Sequence, residues 1–129
     1  MVAYNFKSSF VDQISARTKR QTVRHQGGKR HARPGERVQL YTGLRTRHAR
    51  KIIPDPVCIR VAQIVIPVGR AYEAKVGRIE LDGIPLADDE MEAFAWADGF
   101  LSLRHFGRFW LATHGEGLFT GVVIYWADA

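Results

Sequence analysis

Lys19 and Thr22 stand three residues apart in Arg17-Thr18-Lys19-Arg20-Gln21-Thr22-Val23-Arg24, the segment whose side chains are best suited to covalent chemistry. A threonine hydroxyl is a poor nucleophile until a base takes its proton. A lysine amine fills that role only where burial or a neighbouring cation disfavours its charged form. Arg17, Arg20 and Arg24 place cations beside it. A carboxylate elsewhere in the chain could then pass a proton to a departing amine. Three readings stay open on these residues: Thr22 attacks with Lys19 as its base, Lys19 activates a water and Thr22 only positions the substrate, or Lys19, Thr22 and Arg24 are ordinary exposed residues of an edge strand. Other chemistries find less to work with. His25, His31, His48, His105 and His114 show no metal-ligand spacing on one element, so no metal site is expected. Cys58, the single cysteine, can form no internal disulfide and reads as a small core residue.

The elements that must position this segment can be read from hydrophobic period and turn residues. Phe6, Phe10 and Ile14 recur four apart, predicting a short amphipathic helix over Phe6 to Ala16, and Thr18 to Arg24 follows as a strand. Gly27-Gly28 and Pro34-Gly35 make residues 25–34 a basic loop, and Val38-Gln39-Leu40-Tyr41 alternates as a strand. A second basic loop runs from Arg45 to Lys51. Val57 to Val68 is the most β-rich run, and Ala71 to Leu86 reads as a strand pair turning at Asp82-Gly83. Asp88 to Ala97 predicts a helix with Met91, Phe94 and Ala95 on one face and Gly99 as its terminator. Leu103, Phe106 and Trp110 predict a second helical stretch over Leu101 to Thr113. A last strand covers Leu118 to Trp126, with Gly121 as a candidate bulge. Many short strands with few helices argue for a closed or nearly closed barrel with helical lids, in one domain spanning residues 1–129.

Charge is unevenly spread. Residues 1–51 hold 13 of the 19 Lys and Arg against two acids, Asp12 and Glu36; the remainder is net acidic. Such clustering is the electrostatic footprint expected for a polyanion. Tyr41, at a strand end beside the second basic loop, is placed to stack on a base while Arg45, Arg47 and Arg50 meet phosphates. It serves equally as a barrel tyrosine with its hydroxyl at the rim. No apolar stretch is long enough to cross a bilayer, and the first residues lack a secretory layout, so no membrane partner and a cytoplasmic location are expected.

The Arg17–Arg24 segment resembles the ASCH-domain signature GxKxxExR, with Lys19 and Arg24 at its basic positions. Further matches follow in order: Phe10-Val11-Asp12-Gln13-Ile14, Arg33-Pro34-Gly35-Glu36, Phe94 to Phe100 against an A-x-x-E-G-F segment, Phe109-Trp110, and Val123 to Trp126. The resemblance implies an α+β, mainly β chain: a PUA-like β-barrel with short flanking helices. Arg17 stands where the pattern has glycine, and Thr22 where it commonly has glutamate. The family's bacterial acetylcytidine amidohydrolases also carry threonine there. Their catalysis is assigned to a lysine, that threonine and a glutamate on the later helix. By this resemblance the catalytic residues are Lys19, Thr22 and Asp98, the last one methylene shorter than the family's glutamate. Arg20, Arg24, Tyr41, Arg45, Arg47 and Arg50 are then the substrate- or RNA-binding candidates.

The expected activity is removal of an acyl group from the exocyclic amine of a modified cytosine nucleoside, a reaction that would need no cofactor. Two alternatives stand beside it: a non-catalytic RNA-binding module, and an ASCH-type ribonuclease using Lys19 and an arginine to stabilise phosphate charge. The partner is a nucleoside or RNA in every case.

Overall fold

The computed structural model describes residues 1–127. Strand outweighs helix in it, 35% against 24%, so the fold is mixed α+β and mainly sheet, as the sequence indicated. The described residues divide into two compact units: residues 1–22, 27–61 and 124–127 form the first, and residues 23–26 and 62–123 the second.

The first unit opens with a strand that the sequence reading assigned in part to a helix. Strand β1, Val2–Phe6, turns Tyr4 and Phe6 inward and leaves Ala3 and Asn5 outside, the period-two pattern of a half-buried strand. It pairs in parallel with β3, Val38–Thr42, in the register Tyr4↔Leu40 and Phe6↔Thr42. Strand β4, Arg50–Lys51, adds an antiparallel edge through Tyr41↔Lys51. The expected helix is correspondingly short. A 3-10 turn covers Ser8–Phe10, and α1 covers only Val11–Ser15, with Ile14 fully buried.

The first basic loop of this unit is tied back to the chain. Arg30 donates to both carboxylate oxygens of Glu36, at 2.7 and 3.0 Å, and the Arg33 N–H donates to Glu36 Oε1 at 2.6 Å. These two donors, the guanidinium first, hold the Glu36 carboxyl down to about 2. An unfolded glutamate titrates near 4.3, so the stabilisation is present above that pH and is lost as the pH falls towards 2. Glu36→Gln is therefore expected to flatten the acid limb of the stability curve between about pH 5 and pH 2. Urea midpoints taken across that range check it; an acid limb as steep as the wild type's would contradict it.

In the second unit the expected elements mostly appear. Helix α2 is Asp88–Ala97, and the Glu90 carboxylate accepts the Ala87 N–H at its start. It ends with Gly99 at φ 101°, where the Gly99 and Phe100 amides bond back to the Trp96 and Ala95 carbonyls, a glycine-terminated Schellman end. Helix α3 is Leu103–His114, capped by the Ser102 hydroxyl accepting the His105 N–H at 3.1 Å. The two helices share an aromatic core in which Phe106 meets Phe94 and Phe100 edge to face. Gly107 on α3 lies hard against the Ala74 carbonyl. The expected strand pair over Ala71 to Leu86 is reduced to a small hairpin, β6 Glu80–Leu81 and β7 Ile84–Pro85, turning at Asp82 and Gly83 with φ 51° and 79°. Residues 71–79 instead turn back on themselves, with Lys75 at φ 67°.

Strands β2, Gln21–His25, β5, Cys58–Val68, and β8, Gly117–Trp126, have residues in both units. With the hairpin they form a five-stranded sheet in the order β2-β8-β5-β6-β7. At Gly121 a side chain would collide with the Arg24 carbonyl and the Phe119 ring, so the glycine permits close approach of backbone. No helix is long and apolar enough to cross a membrane among the described residues.

Candidate functional site

The turn that delivers Lys19 is built from the end of α1. Arg17 occupies the left-handed region at φ 67°, while the Arg17 and Thr18 amides bond to the Ile14 and Gln13 carbonyls. This is the same helix end as at Gly99, made with an arginine at the position that favours glycine. Arg17 also donates from its guanidinium to the Ser15 carbonyl at 2.6 Å. The next amide, that of Lys19, bonds to the same Gln13 carbonyl at 3.1 Å, which fixes the direction in which the chain leaves the helix. Two residues later β2 begins, anchored where the Trp126 N–H donates to the Arg20 carbonyl at 3.0 Å.

The outcome is a buried lysine. Lys19 is 3% exposed, and its Nζ lies 4.8 Å from the Phe10 ring centroid and 5.8 Å from that of Phe6. Ring faces attract an ammonium by up to about 2 kcal/mol once water is excluded. Burying the charge costs several kcal/mol before other partners are counted. Thr22 is 4% exposed and Gln21 5%. Neighbouring side chains on a strand point to opposite faces, so the start of β2 is covered on both sides. The sequence reading placed Phe6 and Phe10 on the apolar face of one helix. In the structure they belong to β1 and the 3-10 turn, and both rings lie against Lys19. Trp126, 2% exposed, packs edge to face on Phe6 at 6.1 Å, and its Nε1–H has no acceptor.

Asp98 belongs to the second unit, at the C-cap of α2, and is 5% exposed. Lys19, Gln21, Thr22 and Asp98 are the buried polar or charged side chains of the described residues, and each has an interaction partner. Buried polar groups require such compensation.

The remaining candidates are on the surface or at its edge. Arg20 is exposed and Arg24 half-buried. Tyr41 is half-buried on β3, with Lys51 Nζ 5.8 Å from its ring centroid. Arg45 and Arg47 are exposed on the segment joining β3 to β4 and Arg50 is exposed on β4 itself, so the β3–β4 pairing gathers Tyr41 and the basic loop in one place. Cys58 is fully buried and burial pushes its thiol up, which disfavours the thiolate a nucleophile needs. Among the described residues no group of three or more His, Cys, Asp or Glu gathers to hold a metal.

The class defined so far is a mainly-sheet α+β chain with a buried lysine and threonine at the start of one strand. Compared with family models, curated proteins and solved structures, the chain finds no match.

Proposed function

We propose that this chain is an ASCH-type amidohydrolase that removes an acyl group from the exocyclic amine of a modified cytosine nucleoside such as acetylcytidine. A PUA-like barrel and a cytoplasmic location belong to the same reading. The observation that carries it is burial. Lys19, Thr22 and Asp98, singled out by resemblance to the family's catalytic residues, fall among the few polar side chains the protein withdraws from water. Lysine and aspartate are among the residues least often buried, and withdrawal from water is what makes a lysine usable as a base.

Thr22 Oγ1 adds to the acetyl carbonyl as Lys19 Nζ takes its proton. The tetrahedral adduct collapses, the C–N bond breaks, and the exocyclic amine leaves with that proton. Water then hydrolyses the acetyl-threonine ester, releasing acetate and restoring Thr22. By the family resemblance the carboxylate of the set is Asp98, which belongs to the second unit. The variant route replaces Thr22 by a water in the first addition and needs no ester.

The test is release of cytidine from acetylcytidine by the purified protein. Lys19→Met keeps an unbranched apolar stem, and it is expected to reduce turnover by about 10²-fold or more, the usual contribution of a general base. No release by folded wild type would dismiss the hydrolase.

A second reading is supported by the exposed arginines around Tyr41. As an RNA-binding module, the chain is expected to hold single-stranded RNA with an affinity falling linearly in log–log plots against salt, with a slope near −0.7 per phosphate neutralised. Filter-binding at several salt concentrations measures that slope, and a flat plot would exclude this use of the basic face.

A further inference from the structure

The second basic loop and the buried lysine lie at the same end of one strand pair. β1 and β3 run in parallel and finish on the partners Phe6 and Thr42, where the Thr42 hydroxyl donates to the Phe6 carbonyl at 3.0 Å. The centroid of the Phe6 ring is 5.8 Å from Lys19 Nζ. Beyond Thr42 the chain enters the loop. There the Leu44 N–H donates at 2.9 Å to the side-chain carbonyl of Asn5, the neighbour of Phe6 on β1. All of these residues belong to the first unit.

The loop is braced from within its own chain. Gly43 and Arg45 turn it at φ 65° and 69°. The Thr46 N–H and hydroxyl both donate to the Gly43 carbonyl, at 3.1 and 2.7 Å, and Thr46 Oγ1 accepts the His48 N–H at 3.1 Å. The Ala49 N–H then bonds to the Thr46 carbonyl at 3.1 Å, and the Ile52 N–H to that of Leu40 at 2.8 Å. A loop already ordered loses less freedom when a ligand arrives.

Its arginines are uncommitted. The acids Glu36 and Asp55 of the same unit are taken by Arg30 and Lys51, at 2.7 and 3.0 Å. Arg45, Arg47 and Arg50 are exposed and make no ion pair among the described residues. A guanidinium donates two parallel bonds to a phosphate, so three of them on one short ordered segment suit a phosphodiester backbone. A free nucleoside has no phosphate to offer them.

We propose that the substrate of the Lys19–Thr22 site is an acylated cytosine within single-stranded RNA, its flanking phosphates held by Arg45, Arg47 and Arg50, with Thr46 as the positioning residue of their loop. The proposal rests on the amidohydrolase reading above and names the substrate of that site. The reaction itself is unchanged. Water is consumed, the N–acyl bond breaks, the exocyclic amine takes the proton, and acetate leaves while the cytosine stays in the strand. Enzymes that act on a base take it from a single strand or turn it out of the stack. Contacts to the neighbouring backbone then supply binding remote from the bond that breaks.

The experiment compares kcat/KM for acetylcytidine with that for a short single-stranded RNA carrying one central acetylcytidine, at several salt concentrations. The oligomer should exceed the nucleoside by about 10²-fold at low salt. Its advantage should fall with a log–log slope near −2, about −0.7 for each of three phosphates, while nucleoside turnover stays level. Arg45→Gln together with Arg47→Gln should flatten that slope by about 1.4. Thr46→Val removes no charge, so it should lower kcat/KM for the oligomer about five-fold or more with the slope unchanged, and Thr46→Ser should restore it. A folded Thr46→Val equal to wild type on the oligomer would take the positioning role from Thr46. A nucleoside turned over as efficiently as the oligomer, or an advantage indifferent to salt, would overturn the inference and leave the hydrolase standing. Release from neither substrate would remove both.

Discussion

Replacing Gly107 by alanine is expected to destabilise the protein by about 2–4 kcal/mol, lowering the thermal midpoint by roughly 10 °C. In an ordinary helix interior the same change would stabilise by up to about 1 kcal/mol, since alanine is the better helix former. Here the new methyl would overlap the Ala74 carbonyl and press on the Lys75 side chain. The obstacle is backbone, so no rotamer change relieves it. Either α3 withdraws from the 71–79 segment, or that segment moves and its turn bonds, such as Gly69 N–H to the Lys75 carbonyl at 2.9 Å, are disturbed. Gly107 is buried beside the buried Phe106, on a helix that also buries Trp110. Calorimetry on Gly107→Ala decides the matter. A midpoint equal to the wild type's would mean that the segment gives way without cost.

Substitution of Thr22 separates the two routes of hydrolysis. If Thr22 Oγ1 forms the acetyl ester, Thr22→Val should lower kcat by about 10³-fold or more, because no other atom takes the place of a lost nucleophile. Thr22→Ser keeps a hydroxyl and should retain activity within about ten-fold. If a water attacks instead, Thr22→Val loses only a positioning contact, and the drop should be nearer ten-fold and appear mainly in KM. Valine is close to threonine in shape but removes a hydroxyl from a buried position, a change that itself costs on the order of 1–3 kcal/mol where a buried hydrogen bond is lost. Kinetics must therefore be read beside a melting curve. A burst of cytidine equal to the enzyme concentration, followed by slower turnover, would identify the ester directly.

What the sequence revealed follows from which forces are local. The α2 helix could be placed over Asp88 to Ala97 because its acidic start, its apolar face of Met91, Phe94 and Ala95, and the Gly99 stop all lie within twelve residues. β1 was obscured because Phe6 fits two periods at once, two apart from Tyr4 and four apart from Phe10. The parallel partner that settles the question, β3, lies more than thirty residues away, and a parallel pairing leaves no turn signature between its strands. Residues 71–79 were read as strand from composition, yet Lys75 adopts a left-handed turn and Tyr72 folds over Gly77, contacts no period discloses. For the site, the resemblance to a family signature pointed to Lys19 and Thr22. The burial of Lys19 was not legible, because the Phe6 and Phe10 rings beside it had been placed elsewhere by the helical assignment.

The hairpin of β6 and β7 has a bearing on how the protein behaves when concentrated. An exposed sheet margin with a full row of free amides and carbonyls is a template on which another chain can extend the sheet, and fibres grow from such margins. The five-stranded sheet ends on one side in β7, which is only Ile84–Pro85. Proline brings no amide hydrogen to that margin, and a strand of two residues is too short to seed a stable new pairing. Ile84 is exposed there, an apolar side chain that would otherwise invite such growth. By ending the sheet in a proline, the chain denies its own copies a rung on which to climb.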